Sequence, residues 1–105
     1  GLTFKENCPD LRNTRVVDII SELKDYNINA DIVDPWCSAE EAMHEYNLQL
    51  TADYQQDCYD AIILAVGHDE FKQMGAEAIR KLGKTSHVLY DLKYVLAKND
   101  VDMRL

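Results

Sequence analysis

The run Ala61-Ile-Ile-Leu-Ala-Val66 constrains this chain more than any other stretch. Six consecutive apolar residues predict a strand covered on both faces, the kind found in parallel sheets sandwiched by helices. The residues after it agree. His68 and Asp69 are placed to cap a helix that runs through Leu82, carries Arg80 and Lys81 in its last turn and stops at Gly83. His87 to Tyr90 then reads as a further strand, with Asp91, Leu92 and Lys93 at its carboxyl end.

The N-terminal half repeats the alternation. Gly1 to Phe4 reads as the tail of a strand entered midway, which is expected of a piece of a longer protein. Lys5 to Arg12 is a polar, Pro9-containing loop. From Asn13 to about Tyr26, Val16, Ile19, Ile20 and Leu23 share one helical face. Ala30 to Val33 is a short buried strand ended by Asp34-Pro35. Ser38 with Glu41 matches a capping box, so a helix is expected from about Ala39 to Tyr46. A short strand or turn is expected at 48–50 and a brief helical turn at 53–58. The order β-α-β-α-β-α-β gives an α/β fold, a Rossmann-like three-layer sandwich with an open, mainly parallel sheet whose first strand is truncated.

At 105 residues this is one domain, too short for most self-contained two-substrate enzymes. Its net charge of −8 disfavours nucleic acid and anionic membranes as partners. No apolar run approaches a bilayer span, and Lys5, Glu6, Asp10 and Arg12 interrupt any signal-peptide pattern. Cys8, Cys37 and Cys58, an odd number, describe neither a disulfide framework nor a metal site, so a reducing, cytoplasmic setting is expected. The charge is uneven. Acidic and basic residues balance over residues 1–24, so the whole excess lies in residues 25–105.

In open parallel sheets ligands bind at the carboxyl ends of the strands. That rule selects Phe4 to Arg15, Asp34 to Trp36, Gly67 to Asp69, and Asp91 to Lys93. The first segment gathers Lys5, Arg12 and Arg15 beside Phe4. Lysine offers phosphate a point charge, arginine a planar fork, and the following helix the positive end of its dipole. Lys93 puts a second cation on the same rim as Lys5. The bland alternatives are local pairs: Arg12 and Arg15 with Asp10 or Asp18, and Lys93 with Asp91. No GxGxxG or GxxxxGK[ST] cradle occurs, and His44, His68 and His87 lack ligand spacing, so no metal is expected. His68 reads as a cap or loop residue, Trp36 as half-buried cover for the sheet or a face for another domain, and Cys8 as an inert loop thiol.

The stretch Gly1 to Arg15, with its Phe4-Lys5 and Asn7-Cys-Pro-Asp-Leu-Arg12, closely resembles the opening of the C-terminal, UDP-binding domain of the UDP-glucose/GDP-mannose dehydrogenase family. The Asn-Cys-Pro-Asp-x-Arg form is similar to the branch that oxidises UDP-N-acetylhexosamines, of the galactosamine or glucosamine type. Asp31-Ile-Val-Asp-Pro35, Tyr59 to Val66 and Tyr90-Asp-Leu-Lys93 fall where the family has its later motifs, so the resemblance covers residues 1–105. It implies the UDP-sugar-binding domain of a longer, NAD-dependent 6-dehydrogenase of polysaccharide biosynthesis. In that enzyme another domain binds NAD and carries the nucleophilic cysteine, and a central helical region makes a homodimer. By position, the resemblance implies that Phe4 lines the nucleotide site, Lys5 contacts the UDP-sugar and Lys93 stands where many members have arginine. It implies no catalytic residue in residues 1–105, and at most supporting roles for Arg12, Arg15 and Asp91. A different class, a receiver-like α/β signalling or interaction module, needs an acidic pair after the first strand, where Lys5-Glu6 stands. A flavodoxin-like cofactor binder needs a phosphate loop that the sequence lacks.

Overall fold

Ala61 to Leu64 of the expected apolar run lie in β1 (Tyr59–Leu64), with Ala65 and Val66 just beyond its end; β1 pairs in parallel with β2 (Gly83–Asp91), and β2 pairs in parallel with the two-residue β3 (Met103–Arg104). The strand order in this open sheet is β1-β2-β3, in a computed structural model that describes residues 1–52 and 54–105. Ala61 lies opposite Val88 and Leu64 opposite Asp91, so the two longer strands end together. Asp91 in turn lies opposite Arg104. The carboxyl ends of all three strands therefore share one rim. Coverage on both faces holds only toward that rim: Leu64, Ala65 and Val66 are buried, Ile62 and Ile63 half-buried, and Ala61 exposed.

Among the described residues, three α-helices accompany the sheet. α1 (Val16–Asp25) begins three residues later than the periodicity predicts. Asn13 takes the left-handed conformation at φ 62, which a helix cannot absorb, and Thr14 Oγ1 accepts the Val16 N–H at 3.3 Å. α2 (Ala39–Tyr46) has the expected bounds: Ser38 Oγ accepts the Glu41 N–H, and Asn47 ends the helix at φ 55. α3 (Asp69–Arg80) connects β1 to β2 and is broken at Gly75, whose φ 75, ψ 166 no side-chain-bearing residue adopts readily. Gly83 is the first residue of β2 and not a helix cap; a Cβ there would run into the His87 ring.

Two expected strands are replaced by another kind of attachment. Gly1 to Phe4 runs beside the end of the apolar run, where a Cβ on Gly1 would lie 2.6 Å from Val66 Cβ, but it forms no strand. Its Leu2 and Thr3 N–H groups donate to the Asp34 carboxylate and its Phe4 N–H to the Asp10 carbonyl, so these three donors are taken from any ladder. Ala30 to Val33 forms no strand either; the Ile32 carbonyl accepts the Thr51 N–H at 2.7 Å as an isolated bond. Residues 48–50 are irregular. Of the turn expected at 53–58, residue 53 lies outside the described residues, and residues 56–57 make a hydrogen-bonded turn without a helix.

Among the described residues, two clusters of buried apolar side chains form the core. Leu64, Phe71, Ile79, Leu89 and Leu96 join α3 to β1, β2 and the loop after β2. Leu2, Leu11, Ile32 and Ala42 join the N-terminal segments to α2, with Val16, Val17 and Ile20 of α1 packed against them. An apolar cleft of about 190 Å³ lies where Val16, Ile19, Ile20 and Leu23 face β1 and α3. No helix among the described residues is long and apolar enough to cross a membrane.

Leu89 is completely buried at the centre of the first cluster, whereas its neighbour Val88 is 41% exposed. Leu89→Ala is expected to cost about 2–5 kcal/mol in urea denaturation, and Val88→Ala less than about 1 kcal/mol.

Candidate functional site

Three loops meet on the rim, and each is held by hydrogen bonds to a buried side chain. The first, 4–15, turns back on itself through the Phe4 N–H, which donates to the Asp10 carbonyl at 2.8 Å. Its start is fixed by Asp34, whose Oδ2 accepts the N–H of Leu2 at 2.6 Å and of Thr3 at 3.0 Å, while Oδ1 accepts the Trp36 N–H at 2.8 Å. Its middle is fixed from β1's side. Asn7, at φ 54, sends its N–H to His68 Nδ1 at 2.9 Å, and its Oδ1 accepts the Asp69 N–H at 2.9 Å. The helix end that His68 was expected to cap is thus capped by Asn7 from another loop, and the His68 side chain makes no cap.

His68 is fully buried, and its hydrogen bonds define its tautomer. Nδ1 accepts the Asn7 N–H, so the ring proton sits on Nε2, which faces Asp34 Oδ2 at 2.9 Å and Thr3 Oγ1 at 3.1 Å. Thr3 Oγ1–H donates onward to the Lys5 carbonyl at 3.1 Å. Trp36 stacks over the imidazole at a centroid distance of 6.2 Å and donates its Nε1–H to Glu70. The Phe71 ring lies tilted to the imidazole, with centroids 5.6 Å apart. Burial pushes the Asp34 carboxyl up, but the donors from Leu2, His68, Thr3 and Trp36 outweigh it and hold the group below the usual carboxylate range.

A second buried carboxylate organises the loop after β2. Asp91 Oδ1 accepts the N–H of Lys93 and of Val95, both at 3.1 Å, and Oδ2 accepts that of Leu96 at 2.8 Å. Asp91 therefore does not pair with the Lys93 ammonium; it shapes the turn that carries it. Next to Lys93, Tyr94 sits at φ 54, and the Arg104 guanidinium lies 4.1 Å from its ring centroid. The 4–15 loop and the loop after β2 converge at Gly67. A Cβ built there would lie 3.9 Å from Lys93 Cβ and 4.0 Å from Glu6 Cβ.

The cations on this rim divide into two kinds. Arg12 makes a two-pronged pair with Asp10, at 3.1 Å from both Nε and Nη2, and this guanidinium holds the Asp10 carboxyl below its usual range. Arg15 pairs with Asp18 at 2.9 Å. The bland alternatives thus describe both arginines. Lys5 and Lys93 are exposed and form no ion pair among the described residues, and Phe4 beside Lys5 is 54% exposed. Cys8 is half-buried and Cys58 exposed, and the described residues hold no cluster of metal-ligating groups. Sequence reasoning missed the Asp34–His68 pair and Asn7. The available signal was that Asp34 and Gly67-His68 both stand at strand ends selected by the carboxyl-rim rule.

The profile of the UDP-glucose/GDP-mannose dehydrogenase family, UDP binding domain, matches residues 1–98. The chain belongs to this family. It is 65% identical over its full length to a UDP-N-acetyl-D-glucosamine 6-dehydrogenase of Pseudomonas aeruginosa and 56% identical to one of Salmonella typhi. Protein CapL of Staphylococcus aureus is 35% identical over 98% of the chain. In each the match spans about a quarter of the relative's own length. A solved structure of the UDP-N-acetyl-mannosamine dehydrogenase Cap5O from S. aureus superposes with a TM-score of 0.71 over 99% of this chain and 24% of that one, at 23% identity, and shows the same α/β fold. Membership in the dehydrogenase family removes the receiver-like and flavodoxin-like alternatives.

The depressed Asp34 carboxyl contributes stability that is complete above its unfolded value near pH 4 and is lost as pH falls through its folded value. The carboxyl carbon of Asp34 is expected to titrate by NMR below about pH 3.9. The fluorescence of Trp36, the single tryptophan, should change with the same midpoint because its ring stacks on His68.

Proposed function

We propose that this chain recognises the UDP moiety of a UDP-N-acetylhexosamine within a 6-dehydrogenase that oxidises the sugar C6 to a carboxylate with NAD+. The carrying observation is the pair of exposed lysines, Lys5 and Lys93, without ion pairs among the described residues and on loops that converge at Gly67. Two ammonium groups without carboxylate partners suit a diphosphate, and the exposed Phe4 ring beside Lys5 suits the base or ribose. Lysine at position 93 keeps the charge of an arginine but not its fork, so its contact is that of a point charge. Asp91 supports the site by shaping the Lys93 turn. Arg12 and Arg15, already paired, support the loop or an interdomain contact and not the phosphates. The relatives matched over this chain's full length, both UDP-N-acetyl-D-glucosamine 6-dehydrogenases, support the hexosamine reading.

The chain's share of the reaction is positioning. Fixing the pyrophosphate far from the reacting carbon converts remote binding energy into alignment of C6 with the nucleophile and the nicotinamide. The sequence holds no glycine-rich strand-to-helix turn, so residues 1–105 do not fit NAD, whose binding belongs to the remaining three quarters of an enzyme of the relatives' length. That longer enzyme is a cytoplasmic homodimer of polysaccharide biosynthesis in this reading, and residues 1–105 are its C-terminal UDP-sugar domain.

Calorimetric or NMR titration with UDP tests the proposal. Weak, saturable binding is expected, with Lys5→Ala and Lys93→Ala each reducing affinity about tenfold. Unchanged affinity in Lys5→Ala refutes its phosphate role. The chain alone is expected to give no NAD-dependent oxidation of any UDP-sugar when NADH absorbance is followed.

A further inference from the structure

We propose that His68 is a positioning residue for the lysine-bearing loop, holding Phe4, Lys5 and Glu6 between two fixed points so that Lys5 is presented on the rim before any ligand arrives. The proposal rests on the nucleotide reading of that rim. A fully buried imidazole is costly unless both nitrogens are hydrogen-bonded, and here both are. Both bonds lead to the same loop. Nδ1 takes the Asn7 N–H, which fixes the loop on the far side of Lys5. Nε2 reaches Asp34 Oδ2 and Thr3 Oγ1, and these two groups fix the near side, through the Thr3 N–H and through the Lys5 carbonyl. Neither nitrogen serves the α3 helix, whose first N–H is taken by Asn7 Oδ1. The imidazole is therefore committed to the three residues between Thr3 and Asn7, one of which is a lysine with no ion pair among the described residues. Preordering such a segment removes a cost that binding would otherwise carry.

Two substitutions separate the bonds. His68→Gln carries an amide toward the Nε2 position and releases Asn7; His68→Asn keeps an acceptor near the Nδ1 position and so keeps the Asn7 tie. In the 105-residue chain with UDP as the probe, His68→Gln is expected to weaken binding about five- to tenfold, and His68→Asn less than about threefold. The decisive readout is a double-mutant cycle. If His68 acts through Lys5, Lys5→Ala costs clearly less in the His68→Gln background than in the parent, whereas a merely structural histidine leaves that factor unchanged, which overturns the proposal. Amide hydrogen exchange decides the matter without any ligand. The Asn7 N–H of the parent should be protected and should exchange faster in His68→Gln; fast exchange in the parent overturns the proposal even if neither variant folds. If the parent fails to bind UDP while its Asn7 N–H is protected, the nucleotide reading falls and the ordering of the loop by His68 stands.

Discussion

The Asp34 carboxylate is the interaction on which the rest of this structure depends. Its side chain is wholly buried, and an uncompensated carboxylate in such a place would cost several kcal/mol. It is compensated by four donors: three backbone N–H groups, from Leu2, Thr3 and Trp36, and the His68 imidazole. These donors come from three separate stretches of chain, so one side chain joins the N-terminal segment, its own turn and the end of the apolar run. An asparagine there would offer a single acceptor oxygen and turn two unwanted N–H donors toward Leu2, Thr3 or Trp36. The negative charge is thus a structural requirement, since each of the four partners is a donor.

Asp91 applies the same solution at the other end of the rim. It is buried, lies opposite Leu64 at the end of the strand pair, and collects three backbone N–H groups from the turn after β2. Loops after parallel strands have no ladder to hold them, and here carboxylates supply what a ladder would. The arrangement also sorts the charges. The acidic groups that define loop shape are saturated by N–H donors and so are withdrawn from the nearby ammonium groups. Asp10 and Asp18, which lie on the surface, take the arginines instead, in exposed pairs of the kind worth at most about 1 kcal/mol. Lys5 and Lys93 are left without ion pairs among the described residues, and the Asp91 carboxylate two residues before Lys93 is occupied by backbone N–H groups.

Much of this architecture was legible in the sequence where a local rule decides the conformation. α2 has the bounds its Ser38 cap implied, and the apolar run is a strand because its side chains have a buried destination on the rim side. Legibility failed where a distant side chain replaced a local rule. Residues 1–4 read as a strand by composition, yet the Leu2 and Thr3 N–H groups go to Asp34, thirty-odd residues away, and the Phe4 N–H to the Asp10 carbonyl, not to a neighbouring strand. His68 read as a cap because it precedes a helix, but the cap is Asn7, sixty-two residues before the Asp69 N–H it accepts. Gly83 read as a helix stop, whereas its lack of a side chain makes room for the His87 ring. Periodicity reports which face of an element is buried; it carries no information about which polar group will meet a particular N–H across the fold.

The same reasoning gives the strongly acidic composition a more specific meaning. A net charge of −8 repels a polyanion over its whole length, because a long chain of phosphates must lie along the body where the acidic excess is. A small dianion is governed by the field within about a Debye length of where it sits, roughly 8 Å at physiological ionic strength. Within that range the rim presents Lys93 beside Gly67 and the Lys5 loop with the exposed Glu6, while the buried carboxylates Asp34 and Asp91 are each surrounded by the N–H groups they accept. On the proposed reading, disfavour of polyanions and acceptance of a nucleotide diphosphate follow from one distribution of charge.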